Sequence, residues 1–530
     1  MAMIRWSLFR TVLVAAALVP PSAIAAAEVP RSAEPRSAEP PSAEPPSAEP
    51  LSTEPPSAEP PSAEPPSAEP RSAARPPYEP VSLMTSLGRK GLHDLKDESW
   101  NAYGQFTYIS SWKPSFSAPY TNANGSSYSL LPEAERSFTA TVTLYLGLKL
   151  WPGGEAYFAP EVIAERPLSQ LRGLGGAIQN FELQKTGGEA PQLYRSRAFL
   201  RQTIDLGGAT AARRSDVLQL GITGSSRRVV LTLGNFTILD FFDKNSFTSD
   251  TRQQFLNLSF MTYAAWDFAS DARGYSWGGA AELYYDDWAV RIGRISPPRD
   301  PNQLPVTLRL DRYYGDQVEV EHDHKLLGRD GAVRVLAYRN REVMGRFDEA
   351  VAVWQADPGK NAAACTSFNY GSTNAGAPDL CWVRKPNIKV GIGLNLEQHL
   401  TDDAGVFFRA MFSDGATEVQ AYTASDRSIS FGGLTRGSPW NRPADLAGIG
   451  ASVGWISQAH GDYFRVGGVD GFTGDGKLNQ AAEGVAEIFY SFNFLEAFWL
   501  SADYQHIVNP AFNADRGPVD VFGLRLHAQY

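Results

Sequence analysis

Three closely spaced arginines form the most distinctive chemical pattern in the chain. Arg195, Arg197 and Arg201 fall on one face of a predicted strand whose opposite face is apolar. A guanidinium presents a planar set of five N–H donors, which suits sugar hydroxyls and anions and also pairs with carboxylates. From the sequence, these arginines either contact a solute or brace the protein wall, and both interpretations stay open.

A second polar block follows further along the chain. Its members are Asp240, Asp243, Asn245, Asp250 and Arg252. Their spacing does not match an EF-hand loop and no flanking Glu completes a ligand set, so we expect no metal. The block is predicted to brace an inward-folded segment against arginines or, alternatively, to touch a sugar. Glu161 and Glu165 on a neighbouring strand are candidate counter-charges.

The sequence gives no convincing signature of catalysis. The seven His are scattered, no H-E-x-x-H motif accompanies them, and no Ser stands in the strand–turn–helix context that makes G-x-S-x-G a nucleophile motif. The pair His322 and His324 is predicted to be exposed at a strand end. We therefore expect neither an enzyme nor a cofactor.

Alternation with period two dominates the chain after about residue 99. Between Phe138 and Leu150 every second residue is apolar, and the intervening residues are mostly Thr, Tyr, Gly or Lys. Similar alternation surrounds Val318, Val390 and Val406, often with charged residues on the polar face. No convincing amphipathic helix of ordinary length is evident. The pattern predicts strands with one apolar and one polar face.

Turns and long connections separate these strands. Short turns are predicted at 152–154, 286–287 and 329–331, and long connections at Arg166–Gln192 and Met344–Pro386. Tight turns at one end and long loops at the other are typical of outer-membrane β-barrels, whose loops face outside. At about 27 residues per strand, residues 96–530 predict an all-β transmembrane antiparallel barrel of about 16 strands.

A barrel wall decides where the three arginines point. Each charge facing hydrocarbon at the bilayer centre would cost about 2 to 4 kcal/mol, so Arg195, Arg197 and Arg201 are predicted to face the lumen. The last strand alternates Phe522, Leu524, Leu526 and Ala528 and ends on the aromatic Tyr530. Such an ending resembles the signal that directs bacterial barrels to their assembly machinery.

The N-terminal residues predict export. Residues 1–27 combine Arg5 and Arg10 with a short apolar run and small residues at the cleavage positions, which indicates a cleaved signal peptide. Residues 28–95 form a spacer and short lead-in, and residues 31–70 are eight pentapeptides of the PSAEP type. This Pro-rich segment is predicted to stay extended and disordered. It either reaches toward peptidoglycan or is a tolerated tail.

Charge and cysteine content set further limits. A net charge of −10 and a pI of about 5.4 argue against nucleic acid as a partner. Cys365 and Cys381, the only two cysteines, lie in one long connection of an exported chain. Because that compartment is oxidising, we expect a disulfide that restrains the loop, with two free thiols as the alternative.

Several stretches together resemble a known family. LWPGGEAYFAPEVI from Leu150, YRSRAFLRQTIDLGG from Tyr194, the D-x-F-D-x-N block inside VVLTLGNFTILDFFDKNSFTSDTRQQFLN from Val229, and SADYQHIVNPAFN near the end resemble the carbohydrate-selective porins of the Gram-negative outer membrane. The resemblance covers residues 96–530. The sequence departs from the family at its last residue, which is Tyr530 where Phe is usual. It implies a barrel of about 16 strands that lets sugars diffuse passively across the outer membrane.

Three functional hypotheses follow from these features. The first is a passive, carbohydrate-selective channel with small sugars as partners, embedded in outer-membrane lipid. The second is a general or anion-preferring porin, because lumen arginines attract anions as readily as hydroxyls. The third is a barrel that anchors the spacer to the cell wall. A homotrimer is expected only by analogy with other porins.

Overall fold

The computed structural model describes residues 81–183, 188–358, 365, 376–421 and 424–530. The predicted signal peptide and the pentapeptide repeats lie outside these residues. None of the helices within the described ranges is long and apolar enough to cross a membrane.

Eighteen strands and four α-helices make up the described fold. The strands are β1 Trp100–Lys113, β2 Glu135–Trp151, β3 Gly154–Arg166, β4 Gln192–Asp205, β5 Thr210–Arg213, β6 Ile222–Ser225, β7 Arg228–Phe236, β8 Ser276–Tyr285, β9 Trp288–Ile295, β10 Tyr314–Leu326, β11 Arg329–Met344, β12 Lys385–His399, β13 Ala404–Ser413, β14 Arg427–Gly437, β15 Arg442–Trp455, β16 Glu483–Asn493, β17 Phe498–Val508 and β18 Val519–Gln529. The helices are α1 Leu83–Arg89, α2 Leu258–Met261, α3 Phe347–Ala356 and α4 Gln458–Arg465.

Sixteen of the strands close into one antiparallel barrel. Each pairs with its neighbour along the chain, except that β4 pairs with β7 because β5 and β6 form a separate hairpin. The barrel closes where β1 pairs with β18, and Gly104 and Tyr530 exchange two backbone hydrogen bonds of 2.7 and 2.9 Å. Closure removes the sheet edges that hydrocarbon cannot tolerate. The predicted fold class and strand number are confirmed.

Strand β2 shows why the alternating pattern produces a membrane barrel. Its Thr139, Thr141 and Thr143 are buried on the inner face. On the outer face Val142 is 51% and Leu144 is 42% exposed, although both are large and apolar. Exposed aliphatic side chains of this kind are favourable only against lipid, so the sequence alternation maps directly onto lumen and lipid faces.

The two ends of the barrel differ. At the turn end, strands are joined by tight turns, except that the β5–β6 hairpin lies between β4 and β7, and at the loop end the connections are long. Gly153 at the β2–β3 turn has φ 73°, a conformation that glycine adopts without strain. The turn predicted at 329–331 is wrong by two residues. Leu327 and Gly328 take the positive φ values, and Arg329 already begins β11.

Part of the predicted lead-in is ordered inside the barrel. Helix α1 begins after Ser82, whose side chain accepts a hydrogen bond of 3.1 Å from the Thr85 N–H. Its Met84 is fully buried against Tyr103 of β1 and Tyr145 of β2. The helix is held there because its apolar face packs on an apolar patch of the lumen wall.

The two cysteines are joined in the structure. A disulfide links Cys365 and Cys381, whose Cα atoms lie 6.3 Å apart. Cys381 is buried, next to Leu380. The bond closes a loop in the connection between β11 and β12.

We predict that neither cysteine reacts with a thiol reagent in the non-reduced protein. A loop of this length, with a sequence separation of 16, is stabilised by about 3 kcal/mol when it is closed covalently. Mass spectrometry after maleimide labelling, with and without prior reduction, measures this. Labelling of both cysteines without reduction would contradict the pairing.

Candidate functional site

The connection between β7 and β8, residues 237–275, folds into the barrel and is called the inner segment. Asp243 accepts a hydrogen bond of 2.9 Å from Arg409 Nε on β13, and the Arg409 and Asp243 side chains are 1% and 0% exposed. Arg409 also donates to the Phe260 carbonyl at 2.7 Å, so one wall arginine holds the segment at two points. Asn245 donates to Asn395 of β12 at 2.8 Å. Asp243 and Asn245 thus both join the inner segment to strands of the wall.

Further polar contacts fasten the inner segment around the wall. Lys389 of β12 pairs with Asp267 at 2.8 Å. The Glu487 carboxylate of β16 accepts the backbone N–H of Asn257 at 3.0 Å. Arg525 of β18 donates to two carbonyls of the segment at 2.8 and 2.7 Å. These wall groups thus find their partners in the inner segment, as their burial favours.

A second stretch lies inside the barrel beside the first. The Glu483 carboxylate of β16 accepts hydrogen bonds from three consecutive backbone N–H groups, those of Gly175, Gly176 and Ala177. The Leu258 N–H donates to the Ile178 carbonyl at 2.9 Å, which joins this stretch to the inner segment. The expectation that Arg166–Gln192 is an extended external loop is therefore wrong for residues 175–178, because Glu483 gathers their backbone inward.

Aromatic packing fills one side of the lumen. The Phe255 ring of the inner segment lies 4.9 Å from Phe260, 5.6 Å from Phe407 of β13 and 5.0 Å from Phe489 of β16. All four rings are buried. This part of the barrel interior is a packed core, which leaves the opposite side for solvent.

Charged side chains on that opposite side remain accessible to water. Arg197 of β4 and Asp240 form a two-point ion pair with both N–O distances 2.8 Å, and their side chains are 13% and 15% exposed. The Arg197 guanidinium lies 5.3 Å from the centre of the Tyr275 ring and 6.0 Å from that of Tyr145. Lys244 is exposed within the barrel. These groups border a polar passage.

Arg252 extends the charged border of the passage. It donates to Glu182 and lies 3.8 Å from Glu161 of β3, which is almost fully buried. Thr143 donates to the same Glu161 carboxylate at 2.6 Å. Asp250 is exposed beside Arg252 and accepts a hydrogen bond of 3.0 Å from the Arg252 backbone N–H. Glu161 is therefore placed within ion-pair distance of Arg252.

Glu165 is also buried on the inner face of β3. Arg201 lies 3.7 Å from Glu155, donates to the Leu218 carbonyl at 2.9 Å and covers the Tyr157 ring. It faces the lumen near the turn end.

The prediction that all three arginines share the lumen face is wrong for Arg195. A β-bulge places Ser196 between two pairs in the β3–β4 register, Ala159 with Arg197 and Pro160 with Arg195. The extra residue turns Arg195 to the outer face, where its guanidinium lies 4.9 Å from the Trp277 ring centre. It also lines a cavity of about 280 Å³ at the loop end, together with Tyr194 and Trp277.

The turn end of the lumen is narrowed by two elements. Helix α1 packs Met84 on the wall, and the loop between β5 and β6 brings Leu218 and Leu220 into the interior. The Asn101 side chain donates to the Gln219 carbonyl at 2.8 Å and fixes this loop. Solutes that pass the charged border must also pass this constriction.

The side chains that border the passage combine charged and aromatic groups. In the described part of the chain, no group of three or more His, Cys, Asp or Glu side chains is placed to hold a metal ion. Guanidinium and carboxylate groups bordered by tyrosine rings offer donors, acceptors and stacking surface together. This is the chemistry that sugar hydroxyls and ring faces require.

Several residues that hold the inner segment were not identified from the sequence. Arg409, Lys389 and Arg525 are single basic residues on strand faces that otherwise looked only polar. Each lies on the inner face of a strand and is buried against the inner segment. A lone basic residue at an inward position of an alternating strand is the signal that would have found them.

The chain is similar in sequence to one protein family and in fold to several solved structures. The model of the carbohydrate-selective porin, OprB family matches residues 129–530. Among solved structures, the high-pH structure of Pseudomonas putida OprB has a TM-score of 0.57 at 15% identity and covers 84% of this chain and 96% of its own. OmpT of Vibrio cholerae has a TM-score of 0.41 at 10% identity, covering 82% and 99%. A search of curated proteins found no match.

Removing the carboxylate charge of Asp243 should loosen the inner segment. In Asp243→Asn the side chain keeps its shape and tolerates the φ of 55°. The buried Arg409 then loses its counter-charge, which costs about 3 to 5 kcal/mol. Hydrogen exchange of the inner-segment amides, measured by mass spectrometry, should speed up.

The double variant Asp243→Asn/Arg409→Met separates charge from packing. Because no unpaired buried charge remains in it, protection should be partly restored relative to Asp243→Asn. Arg329→Met serves as the control, since the Arg329–Asp402 pair at the turn end is exposed and contributes little. Equal protection in wild type and Asp243→Asn would refute the bracing role.

At the loop end, His460 of α4 is buried between two carboxylates. Its Nδ1 lies 3.0 Å from Asp426 and its Nε2 lies 3.3 Å from Asp470. The Phe347 ring of α3 stacks on the imidazole at 4.1 Å. Burial by itself lowers the pKa of His460, but the two carboxylates outweigh it and raise the pKa to about 9. The imidazolium therefore holds the α3–α4 contact together.

The loop end is accordingly predicted to loosen in alkaline solution. With the pKa raised above its usual 6.5, the stabilisation from His460 is complete below about pH 6.5 and is lost as the pH rises through about 9. Proteolytic nicking of the α3–α4 region should increase across that interval. The His460→Gln variant, compared with wild type at each pH, should show a flatter profile, and parallel profiles would contradict the assignment.

Proposed function

The chain belongs to the carbohydrate-selective porin, OprB family, and from that premise we propose that sugars cross the outer membrane through the polar passage beside the inner segment. Diffusion is passive, because a fixed barrel couples to no energy source. The observation that carries the proposal is the water-accessible Arg197–Asp240 pair, bordered by Tyr145 and Tyr275.

The chemistry of this border supports a sugar better than an apolar solute. A guanidinium held by one carboxylate keeps further N–H donors for neighbouring hydroxyls, and Asp240 keeps acceptor capacity. Tyrosine rings offer a face to the C–H side of a pyranose. Because a channel must release what it binds, affinity in the millimolar range is expected, about 4 kcal/mol.

An anion-preferring channel is the second candidate. Lys244, Arg197 and Arg201 all reach the passage. Against this, Arg197 and Arg201 each lie beside a carboxylate, which reduces the positive potential available to a mobile anion. We therefore place sugar transport first and treat ion selectivity as a property of the same passage.

The remaining partners are proposals of the same kind. The final strand β18, with Tyr530 behind it, is suited to recognition by the barrel assembly machinery. The apolar outer band contacts outer-membrane lipid. Residues 28–95 include the Pro-rich spacer that we propose extends toward peptidoglycan, after removal of a signal peptide at 1–27. Assembly into a homotrimer is proposed by analogy with porins, and so is the lack of any catalytic activity.

Planar-bilayer recordings test the sugar passage directly. In wild type, added sugar should reduce the ion current at millimolar concentration. Arg197→Ala removes one donor group and should weaken that block about five- to tenfold, or about 1 to 1.4 kcal/mol. Ion selectivity should move toward cations.

Arg195→Ala is the matched control, because Arg195 lies on the same strand but on the outer face. It should leave both block and selectivity unchanged. Strong anion selectivity without sugar block would favour the second candidate, and absence of conductance would favour an anchoring role. Identical block in Arg197→Ala and wild type would remove Arg197 from the binding border.

A further inference from the structure

A row of charged residues interrupts the apolar outer face of the barrel near the loop end. Asp316 of β10 lies directly opposite Arg294 of β9 and Arg339 of β11 in the strand register. It accepts from Arg294 at 2.7 and 2.9 Å and from Arg339 at 3.0 Å. Arg291, three residues from Arg294, is buried on the inner face. The row therefore faces outward.

Two more arginines complete this surface. Arg341 follows Arg339 on the outer face of β11, and it donates to the Arg312 carbonyl at 2.7 Å. We call Arg294, Arg312, Arg339 and Arg341 the outer arginine cluster. The Tyr314 ring lies beneath it, 4.2 Å from the Arg294 guanidinium and 5.1 Å from that of Arg339.

The height of the cluster places it beside lipid. The row immediately toward the turn end is Ile292, Val318 and Ile392, which are 52%, 46% and 55% exposed. Trp288, six residues from Arg294, marks the girdle at the turn end. At about 3.3 Å per residue and a strand tilt of about 40°, the Arg294 backbone lies about 15 Å above that girdle, in the loop-end half of an apolar band about 25 Å tall. From there the Arg294 and Arg341 side chains extend toward the loop-end boundary, where they donate to the Leu310 and Arg312 carbonyls.

The cluster carries more positive charge than its carboxylates neutralise. Asp316 is shared by two arginines, and Asp311 lies 3.8 Å from Arg312. Among the described residues, the structure gives Arg341 no ion pair. The Arg294 and Arg339 side chains are 48% and 50% exposed beside aliphatic neighbours. The four guanidinium groups of the cluster face only two carboxylates of the described chain, Asp311 and Asp316. The remaining positive charge is available to bind an anion from outside the protein.

We propose that the outer arginine cluster binds the phosphate group of an anionic glycolipid in the outer leaflet. Guanidinium groups bind phosphate oxygens in a two-point geometry, and basic sites at a membrane boundary recognise lipid head groups in this way. The aliphatic row beside the cluster accommodates the acyl chains of the same molecule. This site is independent of the sugar passage, which lies on the other face of the wall.

Native mass spectrometry of the full-length protein in detergent tests the proposal, with diphosphoryl lipid A as the probe. The Arg339→Gln/Arg341→Gln variant should bind lipid A about tenfold more weakly than wild type, because two charge-assisted contacts are lost. Arg227→Gln is the matched control. Arg227 also pairs with a carboxylate, Asp286, and lies 4.3 Å from a tyrosine ring, but at the turn end. It should bind as wild type does.

Additional ligands in the same experiment distinguish what binds to the outer arginine cluster. Phosphatidylethanolamine, which has no net charge, should bind all variants equally, and inorganic phosphate should not displace lipid A at matched concentration. Displacement by inorganic phosphate would overturn the proposal in favour of a free-anion site. A change of oligomeric state with unchanged lipid binding would overturn it in favour of an interface between copies.

Folding of each variant is checked by its heat-dependent migration on a gel. If the double variant does not fold, Arg341→Gln, which removes no ion pair described in the structure, should still weaken lipid A binding severalfold. Binding equal to wild type in a folded variant would refute the site.

Discussion

The buried ion pair between Arg409 and Asp243 is the contact on which the interior depends. Arg409 lies on the inner wall, where neither lipid nor bulk water can stabilise its charge, and Asp243 supplies the counter-charge from the inner segment. Each partner is costly to bury alone, so wall and segment stabilise each other only when both are in place. Lys389 with Asp267 repeats the arrangement one strand away. Because these pairs fix the segment, they decide which side of the lumen is filled.

The function of the barrel depends on the part of the lumen that the inner segment does not occupy. Phe255 and its neighbouring rings close one side of the barrel, and the charged border formed by Arg197, Asp240 and Arg252 faces the other. Each border arginine is already paired with a carboxylate, so we expect a passing sugar to compete with existing contacts and to be held weakly. For this carbohydrate-selective porin of the outer membrane, weak contact is an advantage, since transport requires release as well as binding.

The two faces of the same wall obey opposite solvation rules. Inside, charged residues are tolerated because protein groups or water surround them, and outside, aliphatic residues are favoured by lipid. Arg195 shows how one extra residue in a strand can move a side chain from the lumen face to the lipid face. The bulge at Ser196 moves it from the lumen face, which alternation assigns to it, to the outer face beside Trp277. Bulges break the period of two locally, and a sequence gives no clear sign of them.

The sequence by itself determined the barrel, its number of strands and the faces of most residues, because a period of two is a local property that lipid enforces on every strand. It also indicated that Asp243 and Asn245 brace an inward segment. Only the tertiary structure decided that Arg409 and Arg525 are the partners, that residues 175–178 turn inward to Glu483, and that helix α1 enters the lumen. Such contacts join residues far apart in the chain, and their geometry depends on closure of the whole barrel, which no local pattern encodes.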